Sequence, residues 1–255
     1  CCWARQRAMA LIEERRVRVD HRRLKKGDRV VVEGNENVYD IDYYGEFLRD
    51  ILVPILPRTI ARNMGRALVL PSVAGYVIGS ALVFGALFGF INSSQQLITE
   101  TFGAGDIFPL VFAICAGSMA LASWSNSRIV ERFGARRVSH SALFAFIAVS
   151  AVQVMFAFQP EEQLWQFVPL MAINMALLGF IGSNFGAIAM NPFFAIAGAA
   201  SSAHGFVRMT TAALLGGAIG YAYDGTARPL ALALLASGLA CLVLVLWSEK
   251  GKLFG

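Results

Sequence analysis

The chain has 255 residues, 56% of them hydrophobic and only 15% charged, with a formal net charge of +5. A soluble domain usually carries about 25% charged residues, so an ordinary water-soluble globule is excluded. The charge is also unevenly spread: residues 1–56 hold 11 of the 22 Lys and Arg and 10 of the 17 Asp and Glu, leaving 199 residues of integral-membrane composition.

Residues 1–26, with the run ARQRAMALIEERRVRVDHRRLKK, are basic and read as a helix. Two roles are open for it: binding of acidic lipid or nucleic acid, or a solvated cytoplasmic segment. Glu13, Glu14 and Asp20 dilute the charge and favour the solvated segment, with no nucleic-acid partner. RVVVE at 29–33, the turn signal GNEN at 34–37 and the alternating VYDIDYY that follows read as a small β-hairpin. Residues 46–66 are amphipathic, interrupted by Pro54 and Pro57, and place Arg58, Arg62 and Arg66 on one helical face. This is a surface helix leading into a bilayer. The domain division that follows is a cytoplasmic segment of unknown affiliation, 1–56, and a membrane part, 57–255.

About 20 apolar residues are needed to cross the hydrocarbon core. Six such segments are predicted, at roughly 68–91, 107–127, 138–158, 165–189, 199–222 and 229–248. The apolar MNPFFAIAGA between the fourth and fifth makes that boundary the hardest to place. The fold class is therefore an all-α membrane protein, a six-helix transmembrane bundle with a small N-terminal segment of helix and hairpin. The connections NSSQQLITETFGAGD and QPEEQLW carry no Lys or Arg, and the one near YDGTARP carries only Arg228 beside Asp224. The basic stretches are Arg58 to Arg66, the block RIVERFGARRV at 128–138, and Lys250 with Lys252. Alternate connections are thus basic, which the positive-inside rule places in the cytoplasm together with both termini.

Cys1, Cys2, Cys115 and Cys241 show no metal spacing, and no Ser/His/Asp set, Cys/His set or P-loop occurs. Nothing points to an enzyme, a metal or a cofactor. The chain begins without Met and without a signal-peptide pattern, and reads as a fragment of something longer.

The block RIVERFGARRV resembles the loop signature of the major facilitator superfamily, G-x-x-x-D-R-x-G-R-R. Ser127 takes the Gly place and Glu131 the Asp place; Arg132, Gly134, Arg136 and Arg137 keep their character, with Ala135 inserted in the spacing. This degenerate form is the one found in the second half of such transporters. GFIGSNFGAIAMNPFFAIAGAASSAHGFVRM, at 179–209, resembles the Bcr/CflA drug-resistance branch. The carriers are Asn184, Ala189, Met190, Pro192, Ala197, Gly198, Ala200, Ser201, Gly205 and Phe206. FINSSQQLITETFG is similar to a helix end of the same branch. The resemblance covers about 57–252. It implies the carboxy-terminal half of a twelve-helix transporter in the cell inner (plasma) membrane. It also implies an amphipathic small-molecule substrate, a proton as coupling ion, and either a missing amino-terminal six-helix half or a second copy as partner.

Under that resemblance Arg128, Glu131, Arg132, Gly134, Arg136 and Arg137 form a gating loop, with Glu131 paired to Arg128 or Arg132; charge that merely fixes topology is the alternative. Arg208 lies about ten residues into the fifth span. It either recognises an anionic or polar substrate group or snorkels toward the headgroups. Asn92, Asn174 and Asn184 either bind substrate or hold helices together. Phe84 and Phe88, with Phe180 and Phe185, line an apolar cavity or contact lipid. Glycines 179, 182, 186, 205, 216, 217 and 220 argue for close helix packing. No Asp or Glu is embedded in a span, so the chain holds no obvious proton-coupling site. Two functions remain open: transport of drug-like molecules or of a defined metabolite, and a membrane-anchored, non-transporting module that works through residues 1–56.

Overall fold

The computed structural model describes residues 29–31, 38–40, 62–65, 67–68 and 70–253. The chain divides into two compact units, residues 1–61 and 62–255. In the first, β1 (Arg29–Val31) and β2 (Val38–Asp40) pair antiparallel, with Val30 opposite Tyr39. The basic helix expected over 1–26, the turn at 34–37 and most of the amphipathic stretch 46–66, including Arg58 and Arg66, lie outside the described residues.

The second unit contains six long helices among the described residues: α1 (Pro71–Gln96), α2 (Phe108–Phe133), α3 (Ala135–Ala157), α4 (Leu164–Met190), α5 (Ala197–Tyr221) and α6 (Arg228–Ser248). Their starts are marked by proline in the first turn of α1, α2 and α6, where the missing N–H has no helical partner to lose. At α4 a reciprocal box serves instead, in which the Gln163 backbone N–H donates to Gln166 Oε1 at 3.0 Å. Between α5 and α6, Asp224 Oδ1 accepts from the Thr226 hydroxyl at 2.6 Å and from its backbone N–H at 3.0 Å. The Thr226 hydroxyl bond holds the Asp224 carboxyl below its ordinary range.

The packing order is interleaved. Helix α1 lies along α5 and α6, while α4 lies along α2 and α3; α3 meets α6, and α1 meets α4. Exchanging α1, α2, α3 for α4, α5, α6 leaves this pattern unchanged. The bundle is thus two helix triplets, each of whose first helix packs on the second and third helices of the other. Nothing in the hydropathy pattern announces it. Helix α1 is the centre, with 67% of its most apolar window buried, against 17% for α2.

Missing side chains set the closest contacts. A Cβ on Gly216 of α5 would lie 2.5 Å from Phe88 Cβ, one on Gly89 2.6 Å from Ile219, and one on Gly179 2.9 Å from the Met119 carbonyl. Backbones approach this closely only because no side chain intervenes. Of the glycines expected to serve packing, Gly179, Gly182, Gly216 and Gly220 have close neighbours, whereas Gly186, Gly205 and Gly217 face open space.

Five of the six helices are long and apolar enough to cross a membrane, taking α1 through to Thr101 and α4 through to Phe193. The fifth expected span, at 199–222, forms a helix of 25 residues but is not among the five. His204, Arg208 and a high share of Gly, Ser and Thr lower its hydropathy, and polar groups of this kind belong inside a bundle or along a wetted path rather than against lipid. The set of five apolar helices is the build of a multi-pass membrane protein.

Candidate functional site

The arginine block is not an extended loop. Helix α2 runs to Phe133 and α3 begins at Ala135, so Gly134 alone joins them. Its φ of 80° and ψ of 149° fall in a region open essentially to glycine only. The block therefore forms two helix ends meeting at a hairpin. Arg128 and Arg132 lie on the α2 side, each stacked over an aromatic ring: Arg128 over Trp124 at 5.3 Å and Arg132 over Phe133 at 5.4 Å. Glu131 is exposed and makes no ion pair among the described residues; the expected pairing with Arg128 or Arg132 does not form.

The ion pair of the block is made by Arg136 instead. Its Nε lies 3.2 Å from Glu249 Oε1, just beyond the end of α6. The same oxygen accepts the Tyr76 hydroxyl at 2.6 Å, and that hydroxyl lies 3.0 Å from His140 Nε2. A phenol has one proton to give. Donating it to Glu249 makes the Tyr76 oxygen the acceptor of an N–H from His140 Nε2, which assigns the tautomer through the network. Tyr76 and His140 are fully buried, and Tyr76 also meets Phe185 edge-on at 4.9 Å. One polar chain thus ties the start of α1, the start of α3 and the end of α6 at the arginine end of the bundle. Beside it opens a cleft of about 550 Å³, lined by Ser72, Gly134, Arg136, Arg137, Ala187 and Asn191. Sequence reasoning did not single out Tyr76, His140 or Glu249. The available signal was a Tyr, a His and a Glu near helix ends that share one alternation class.

Phe84, Phe88 and Asn92 occupy successive turns of α1, and all three face α5. The Arg208 guanidinium carbon sits 4.7 Å from the Phe84 ring centroid, Phe88 packs on Gly216, and Asn92 approaches Gly220. The Phe84 ring in turn fills the space beside Gly182 of α4. Arg208 is the twelfth of the 25 residues of α5, roughly 16 Å along the axis from its first residue. Its Nε is buried without a hydrogen-bond partner. An arginine at mid-membrane costs about 2.5–3.5 kcal/mol on insertion scales. The face of Phe84 offsets part of that, about 0.5–2 kcal/mol for a cation over an aromatic ring. No Asp or Glu pairs with Arg208 among the described residues.

Asn174 and Asn184 are placed differently. Asn184 and Asn126 exchange side-chain amide hydrogen bonds between α4 and α2, at 2.7 and 3.3 Å, and Asn184 also donates to the Phe180 carbonyl at 2.9 Å. Asn174 donates to Gln153 of α3 at 2.7 Å and accepts from Ser150 at 3.3 Å. Both are buried, and their amides are engaged between helices. Phe185 is fully buried in the core. The structure thus brings Phe84, Phe88, Asn92 and Arg208 together on the α1–α5 seam and sets Asn174 against α3 and Asn184 against α2.

A partly buried carboxylate lies at the other end of the bundle. Glu162, between α3 and α4, has a buried Oε1 without a hydrogen-bond partner. Burial alone pushes its carboxyl up to about 7. No group of three or more His, Cys, Asp or Glu that could hold a metal occurs among the described residues.

Over 179 residues the chain is 28% identical to the Bicyclomycin resistance protein homolog of Haemophilus influenzae, an alignment that covers 70% of this chain and 45% of that protein. The matched part is therefore under half the length of this relative. No protein-family model matches the chain, and no solved structure does. The likeness covers most of this chain and agrees with the run of apolar helices.

Proposed function

We propose that the chain is the carboxy-terminal half of a major facilitator transporter of the Bcr/CflA type. In this reading it lies in the cell inner membrane with both termini cytoplasmic, and it exports small drug-like molecules by alternating access coupled to protons. The observation that carries the reading is the interleaved packing of two helix triplets. In this superfamily each six-helix half is built from such a 3+3 repeat, and transport proceeds by rocking one bundle against another around a site near the bilayer midplane. The similarity to a resistance protein supports the same reading.

The residues then take roles. Helices α2 and α5 each have one main neighbour in the bundle, which leaves broad faces for a second six-helix bundle. Phe84, Phe88, Asn92 and Arg208 lie on the seam that faces the substrate path, at mid-depth on α5. The Gly134 hairpin and the Arg136–Glu249–Tyr76 chain form a latch at the cytoplasmic end, holding three helix ends together in one state of the cycle. Glu162, which makes no ion pair among the described residues and has a carboxyl raised to about 7, is the group of this half best suited to carry a proton near neutral pH.

Cells that lack their own efflux pumps test the reading. Expression of the full transporter is expected to lower accumulation of bicyclomycin or of another exported drug. A Gly134→Val, Arg132→Ala double variant should insert normally and lose that effect. Normal insertion with undiminished efflux would remove the latch. Accumulation equal to that of empty cells, across a panel of drugs and with the protein present in the membrane, would remove the transport reading.

A further inference from the structure

We propose that the α1–α5 seam takes organic anions with a flat apolar body, the anionic group being held by Arg208. The inference rests on the transport reading for its location and goes beyond it in naming the chemical class of the ligand.

Three observations carry it. First, Arg208 Nε is buried with no acceptor, and a buried donor without an acceptor is a cost that a ligand oxygen removes. Second, the charge is uncompensated. Its contact is the face of Phe84 at 4.7 Å, which attracts the cation but satisfies no N–H, and no carboxylate pairs with it among the described residues. Third, space adjoins it. Gly205, three residues earlier, lies on the same side of α5 one turn nearer its start. A Cβ on Gly205 would meet nothing within 4 Å.

The chemistry follows from these parts. The planar guanidinium offers a fork of donors matched to a carboxylate, sulfonate or phosphate. Phe84 and Phe88 give an aromatic wall beside it for an apolar ring. Snorkelling is a poor alternative, because a side chain roughly 16 Å along the helix does not reach water at the arginine end. A permanent cation on the same seam would face like charge in a low-dielectric setting, so cationic drugs are disfavoured.

Calorimetric titration of the full transporter in phosphatidylcholine nanodiscs tests the proposal with three matched probes: 2-naphthoate, 2-naphthylmethanol and 2-naphthylmethylammonium. Naphthoate is expected to bind about tenfold more tightly than the alcohol, or about 1.4 kcal/mol, and the ammonium more weakly than the alcohol. Arg208→Gln should remove the naphthoate advantage and leave the alcohol within about twofold. Arg208→Lys, which keeps the charge and loses the fork, should retain part of it. Gly205→Leu should weaken naphthoate with Arg208 intact. Naphthoate that binds wild type no more tightly than the alcohol overturns the proposal, as does Arg208→Gln with wild-type naphthoate affinity. Repeating the titration with phosphatidylglycerol added separates a lipid headgroup from a free ligand. Unchanged naphthoate affinity supports the proposal, and its abolition makes Arg208 a lipid anchor and ends it. Because binding is read without turnover, a transporter that binds naphthoate but exports nothing fails the transport reading and not this one.

Discussion

Tyr76→Phe removes one buried hydroxyl from the junction of three helices. The Tyr76 oxygen lies 2.6 Å from Glu249 Oε1 and 3.0 Å from His140 Nε2, so its loss takes a donor from one group and an acceptor from the other. A buried polar group that loses its partner costs about 1–3 kcal/mol. The two losses are unequal. Glu249 keeps Arg136 at 3.2 Å and its side chain retains 12% exposure, so its loss is small. His140 is buried, with further interactions of its own, and bears the larger share. Interhelical hydrogen bonds measured in membranes average about 0.6 kcal/mol, with a maximum near 1.7, which draws the sum down to about 1–2 kcal/mol. Unfolding in mixed detergent–SDS micelles, followed by circular dichroism, measures it. Adding His140→Leu to Tyr76→Phe should cost less than the sum of the two single changes, because the second removes a group the first has already deprived. A Tyr76→Phe variant within about 0.5 kcal/mol of wild type, the range of changes that touch nothing important, would refute the junction.

Gly216→Leu should destabilise the bundle by about 1–3 kcal/mol or more through overpacking, since its Cβ would lie 2.5 Å from Phe88 Cβ. Gly217→Leu, with nothing within 4 Å, should leave unfolding unchanged. Asn126→Leu and Asn184→Leu should show a coupling of about 0.6 kcal/mol in a double-mutant cycle, while Asn92→Leu, exposed on α1, should cost little stability. For Glu162 the folded carboxyl titrates at about 7, above its ordinary value of 4.5, so the folded state holds the proton more tightly than the unfolded chain. Its contribution is therefore full below pH 4.5 and is lost as pH rises through 7. Stability against pH should flatten over that window in Glu162→Gln, which should also be the more stable protein at alkaline pH, by at most about 3 kcal/mol at 1.36 kcal/mol per unit.

Several of these residues were legible in the chain and several were not. The apolar runs reveal the helices because a backbone in lipid must satisfy its own hydrogen bonds. The six predicted segments match α1 to α6 closely in order and extent, although α5 falls short of the apolarity of a span. Arg208 stands out in any linear reading, because a charge in an apolar run is costly wherever the run folds. The amides were readable only as alternatives. Asn174 and Asn184 look like Asn92 along the chain, and their separation into engaged and open groups depends on which helix each meets.

What the sequence by itself determined is local: which segments are helical, where charge gathers, and that Gly134 sits where two helices must reverse. Hydropathy and backbone conformation are properties of a residue and its near neighbours. What only the tertiary structure decided is pairing. The interleaving of the two triplets joins helices in an order the chain does not announce, and the Arg136–Glu249 pair, the Tyr76–His140 junction and the stacking of Arg208 on Phe84 each join residues more than sixty positions apart. In an apolar solvent many helix faces are nearly equivalent. The specific choice falls to small residues that permit close approach and to polar groups that must find one another.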